Sequence, residues 1–150
     1  MNNLKTEHIL GWTLFCMIMP LIPVAGTFCW AWAHPFKHED FLVLIIFLVS
    51  YAGLLAIPLS LLNFFLFKKN MSIRATKRIA TIPLGVSIFF SGILFLFGCS
   101  AFMDGFEAVI ILAAAAIHSF IAIKAIYWFR NKIEEIYNAV KDGTPITIQP

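Results

Sequence analysis

Two ionisable residues interrupt the apolar stretch AAAAIHSFIAIK at positions 113–124: His118 and Lys124. An ionisable side chain inside such a run is costly in lipid, so it turns toward other helices or a water-filled cavity. Histidine titrates near neutral pH, so His118 could relay protons or cations, bind a metal or haem, or act as a hydrogen-bonded packing residue. Packing is the default, because no second intramembrane histidine exists to complete a ligand set. At 100° per residue His118 shares a face with Ala114, Ala115, Ala122 and Ala125, which turns it toward the bundle interior. Ser91 and Tyr51 lie at comparable depth on other spans and are the expected hydroxyl partners.

Lys124 sits about 120° around the helix from His118 and, at about 1.5 Å per residue, roughly 9 Å deeper than Arg130. Snorkelling toward the near surface is the default for such a lysine. A helical side chain, however, tilts toward the N-terminus of its helix, so on a last span running inward Lys124 starts out aimed at the membrane centre. Thr13, Asn63 and Ser87 fall in the same layer, and Asn63 is the best single partner for an inward contact.

Other candidates for chemistry are sparse. His34, His38, Glu39 and Asp40 place four potential metal ligands in seven residues, a set that suits zinc, copper or nickel. Lys37 between them repels a cation, and a solvated loop is the simpler reading, so no metal site is predicted. Cys16, Cys29 and Cys99 form no CxxC pair, although Cys29 and Cys99 approach the same predicted membrane face and a disulfide there is conceivable in an oxidising compartment. Arg74, Lys77 and Arg78 recur at helical spacing as a basic face, either a topology determinant or a contact for anionic lipid headgroups. There is no glycine-rich phosphate loop, no nucleophile–base motif and no acid deeper in any span than Glu107. These absences argue against an enzyme, and no cofactor is implied.

Composition dictates the segments that carry these groups. Of the 150 residues, 61% are hydrophobic and 13% charged, whereas soluble domains run nearer half and a quarter. An all-α integral membrane protein is expected. A spanning helix needs about 20 apolar residues, and four runs qualify: about 9–32, 41–67, 81–103 and 107–129. The connectors are too short for a soluble domain, so residues 1–150 form one membrane domain. Lys68, Lys69, Arg74, Lys77 and Arg78 crowd the middle connector without an acid, which predicts a cytoplasmic loop and therefore both termini cytoplasmic. Trp12, Tyr127 and Trp128 at one boundary and Trp30 and Trp32 at the other fit the same frame. The run ending Ala31-Trp32-Ala33 is too long for a cleaved signal peptide.

Pro20 and Pro23 predict a bend in the first span, with Pro58 and Pro83 punctuating the next two. In the third span Gly85, Gly92 and Cys99 recur at seven-residue spacing beside Ser87, Ser91 and Gly98. Small residues let helices approach closely, so Gly85, Ser87, Ser91, Gly92 and Gly98 are the predicted packing face, toward the bundle or toward a foreign helix. Beyond the last span, Ile133, Ile136, Tyr137 and Val140 keep helical period, and an amphipathic tail over about 130–142 extends the helix into the cytoplasm.

In span number and size the chain resembles small four-span immunity proteins against pore-forming toxins. Two functions are weighed on the residues. The first is a binding protein acting through helix–helix contacts, as an accessory subunit, regulator, or immunity- or exclusion-type factor. The second is an oligomeric transporter or channel with His118 and Lys124 on the path. The first takes precedence, given the short loops and small-residue faces. The expected partners are membrane lipid and another membrane protein or a second copy of the chain, with no nucleic acid; the expected location is a bacterial plasma (inner) membrane.

Overall fold

The computed structural model describes residues 6–33, 41–67, 72–102 and 108–141, and every regular element among them is helical. The order is α1 (Thr6–Ile18), α2 (Leu21–Ala33), α3 (Phe41–Ala52), a 3-10 turn (Gly53–Leu55), α4 (Ala56–Phe67), α5 (Ile73–Phe102) and α6 (Val109–Lys141). These make four segments long and apolar enough to cross a membrane: His8–Ala33, Val43–Leu66, Ile73–Ser100 and Val109–Asn138. Only 22–39% of each segment's apolar window is buried inside the chain. Leu48, Phe89, Leu96 and Phe120 accordingly stand exposed on the flanks. An apolar exterior of this extent suits a helical bundle in lipid.

Prolines decide where the segments break. Pro20 and Pro23 have no N–H to give to the carbonyls of Cys16 and Met19. The helix stops after Ile18, and the N–H of Ile22 donates to the Met19 carbonyl at 3.2 Å instead. The first span is therefore two helices. In the second span the 3-10 turn lies just before Pro58, whose ring crowds the carbonyl one turn back. Buried Gly53 in that turn faces α5, where an added Cβ would rest 3.7 Å from that of Phe90.

The third helix starts eight residues earlier than the sequence pattern set it. Ser72 caps it, its hydroxyl accepting from the N–H of Ala75 at 3.3 Å. The basic face of Arg74, Lys77 and Arg78 is thus the opening of α5, and Pro83 lies inside the helix rather than at its start.

α5 and α6 pack along most of their lengths, with α2 against α6 and α1 against α4. The α2–α6 approach is close enough that a Cβ on Gly26 would collide with that of Ala114. At the basic end, Trp12 lies stacked on Phe129 with ring centroids 3.9 Å apart, among Cys16, Ala80, Leu84 and Ile133. At the other end Trp30, Ile46, Leu94 and Ile111 form a second buried cluster. The tail is the unbroken continuation of α6, about 50 Å long at 33 residues. Ile133 and Ile136 are buried and Tyr137 is 43% exposed; the side chain of Val140 lies outside the described residues.

Candidate functional site

Two polar layers tie the spans together. The first surrounds Pro83. Its missing N–H leaves the carbonyl of Ile79 without a helical donor, and its ring disturbs the neighbouring turn. In lipid such freed groups must be satisfied by other helices. Asn63 Nδ2, on α4, donates to the Ile79 carbonyl at 2.6 Å. Trp12 Nε1, on α1, donates to the next carbonyl, Ala80, at 3.0 Å. Both side chains are buried, so three segments converge on one break in the backbone ladder. Asn63 is therefore held by α5 and is not the partner of Lys124.

The second layer is centred on His118, which is 0% exposed between Ala115 and Ala122. Its Nε2 lies 2.9 Å from the hydroxyl of Ser87 on α5, while its Nδ1 has no hydrogen-bond partner. Ser91 and Tyr51, the expected hydroxyls, do not reach it. Ser91 donates across the same interface to the Ala115 carbonyl at 3.1 Å, and Tyr51 turns outward at 49% exposure, its ring beside Phe47. One helical turn separates Ser87 from Ser91, and depth alone does not distinguish them. Nearer the opposite end, Thr27 and Ser50 share a hydrogen bond of 3.2 Å, while Thr27 also donates to the Pro23 carbonyl at 3.0 Å.

Lys124 points the other way. It is exposed on the flank of α6, its Nζ 5.7 Å from the ring centroid of Phe120, one turn toward the helix N-terminus. That is the backward tilt expected of a helical side chain. His118 faces the bundle interior and Lys124 its exterior, so within one copy they do not line a common path. Lys124 instead borders a cleft of about 690 Å³ between α1 and α6, whose lining contains no acid among the described residues.

The small-residue stripe of α5 divides in two. Ser87 and Ser91 are buried, and Gly98 packs so closely on α6 that an added Cβ would meet Leu112 Cδ2 at 3.0 Å. Gly85 and Gly92 face outward, with nothing within 4 Å of an added Cβ. They do not belong to the internal packing face. Small size lets a neighbour come close but does not say on which side the neighbour stands. Sequence reasoning missed Gly26 as a packing residue, although a glycine among LIPVAGTF was a visible signal, and it took Trp12 for a boundary anchor only.

Of the basic face, Lys77 pairs with Glu134 on the tail, while Arg74 and Arg78 are exposed. Cys29 and Cys99 are free and exposed, and Cys16 is free and buried. His34, His38, Glu39 and Asp40 lie outside the described residues; within those residues no cluster of three or more His, Cys, Asp or Glu could hold a metal. No family model matches this chain, and no curated protein or solved structure does either.

Proposed function

We propose that the protein acts by intramembrane helix–helix contacts with another membrane protein or a membrane-inserted toxin, as an accessory subunit, regulator, or immunity- or exclusion-type factor. The observation that carries this reading is the outward lane of α5. Gly85 and Gly92 stand exposed on one side of the helix, with nothing within 4 Å of an added Cβ, while the serines beside them are spent on contacts inside the bundle. The two glycines alternate with Phe89 and Leu96 along this flank, lower it and admit a second backbone, the usual means of association between membrane helices. The basic connector and the outward aromatic residues support a bacterial plasma-membrane location with both termini cytoplasmic.

The test is Gly92→Leu, alone and with Gly85→Leu, followed by native mass spectrometry of the protein gently extracted from its own membrane. An added Cβ at either position meets nothing within 4 Å, and far-UV circular dichroism establishes that each variant is folded before it is compared. A complex present in the wild type and absent in the variants is the expected result. A complex that survives both substitutions removes this lane as the interface.

A further inference from the structure

The cleft between α1 and α6 is a consequence of the break at Met19–Pro20. Because the first span bends there, α2 lies against α6 whereas α1 leans toward α4. α1 keeps its hold on α6 through Trp12 stacked on Phe129, and beside that stack the two helices stand apart. The cleft extends along α6 from Phe120 to Ile136. Its part within the apolar span, Phe120 to Phe129, is about 14 Å long at 1.5 Å per residue, close to half of a roughly 30 Å hydrocarbon core. It is therefore one leaflet deep. A transmembrane partner helix would need a groove running the full thickness, and the close Gly26–Ala114 approach shuts it beyond that depth.

Polarity along the cleft is graded. Its deep end is walled by Phe15, Phe120 and Ile121, and its basic end carries His8 and Lys132. Lys124 lies between, making no ion pair with any described residue, its ammonium set against the Phe120 ring. His8 Nδ1 is buried without a hydrogen-bond partner among the described residues. Lys132 is half-buried and holds the exposed Glu135 at 3.0 Å, a pair whose acid is open to solvent and can be exchanged for another anion. Lys124 and Lys132 are eight residues apart, about 12 Å along the axis, so an anion at the level of Trp128 comes within reach of both four-carbon stems. Apolar below and cationic above, over the depth of one leaflet, is the order of groups in a phospholipid.

We propose that this cleft is a binding site for one anionic glycerophospholipid, its phosphate held by Lys124 and Lys132 and an acyl chain laid along Phe15, Phe120 and Ile121. The cleft volume of about 690 Å³ lies within the roughly 300–1,000 Å³ of small-molecule sites. The site is separate from the outward lane of α5, so either can fail without the other.

The experiment is native mass spectrometry of the full chain in detergent with equimolar dioleoyl-phosphatidylglycerol and dioleoyl-phosphatidylcholine. The wild type retains the anionic lipid in preference by about fivefold or more, the value of one lysine near an anionic headgroup. Lys124→Gln loses that preference and Lys124→Arg keeps it. Gly11 lines the cleft and an added Cβ there meets nothing within 4 Å, so Gly11→Phe places a ring in the cleft and loses both lipids. Arg74→Gln with Arg78→Gln leaves the preference in place. Equal retention of the two lipids by the wild type overturns the proposal. So does a preference that persists in both Lys124→Gln and Gly11→Phe, or one that disappears with Arg74 and Arg78. Far-UV circular dichroism and a single gel-filtration peak establish that each variant is folded before it is compared.

Discussion

Removing the side chain that covers a proline-freed carbonyl should cost more than removing an ordinary hydrogen bond, and the surroundings of Pro83 allow that difference to be measured. Asn63 Nδ2 donates to the Ile79 carbonyl at 2.6 Å from a residue only 6% exposed. Asn63→Leu keeps the number and branching of heavy atoms and deletes the donor. With Pro83 in place no backbone N–H can take over, so the carbonyl is left unsatisfied at a cost of about 1–3 kcal/mol. In a Pro83→Ala background the N–H of residue 83 returns to the Ile79 carbonyl, and Asn63 supplies only a second bond to it. Losing that bond should cost nearer 0.6 kcal/mol, roughly the average for hydrogen bonds between membrane helices. The double-mutant cycle should therefore show a coupling of about 0.4–2.4 kcal/mol between positions that make no side-chain hydrogen bond with each other. Reversible unfolding in mixed micelles, followed by circular dichroism, reads all four variants. If Asn63→Leu costs the same in the wild type as in the Pro83→Ala background, the freed carbonyl is not what Asn63 is there to satisfy, and the account of this layer fails.

Three further outcomes follow from other contacts. Gly26→Ala should destabilise the bundle by about 1–3 kcal/mol through overpacking against Ala114, and Ala114→Gly should recover most of that loss in the same unfolding assay. Ser87→Ala deprives His118 of its one hydroxyl while the ring stays buried, and should cost about 1–3 kcal/mol; Ser91→Ala, which removes only a bond to a carbonyl already in the α6 ladder, should cost less, and the reverse order would count against the assignment. Glu134→Gln removes the partner of Lys77 at an exposed position and should leave the unfolding midpoint nearly unchanged, whereas Ile133→Ala, at 3% exposure, should cost about 2–5 kcal/mol and loosen the tail, read as faster hydrogen exchange beyond Phe129.

The four spanning segments are legible in the sequence because length and hydropathy are properties of each run by itself, whatever it packs against. The helical continuation past Phe129 is legible for a related reason: Ile133 and Ile136 keep the period of the helix before them, and both are buried. The bend in the first span also follows locally, since a missing N–H is a property of proline wherever it sits.

What the residues do to one another was decided by the tertiary structure. Depth in the membrane can be counted along a chain, and it put Asn63, Ser87 and Lys124 in one layer. Rotation about each helix axis cannot be counted in that way, because in lipid an apolar face has no obligatory inside. Gly85 and Gly92 therefore turn out where Ser87 and Ser91 turn in, and Lys124 meets Phe120 of its own helix in place of Asn63. The true acceptor for Asn63 is a main-chain carbonyl, exposed by a proline four residues further along another helix. No side-chain pattern announces such a partner, since the group that needs satisfying belongs to the backbone, and only the packing of α1, α4 and α5 brings its donors within reach.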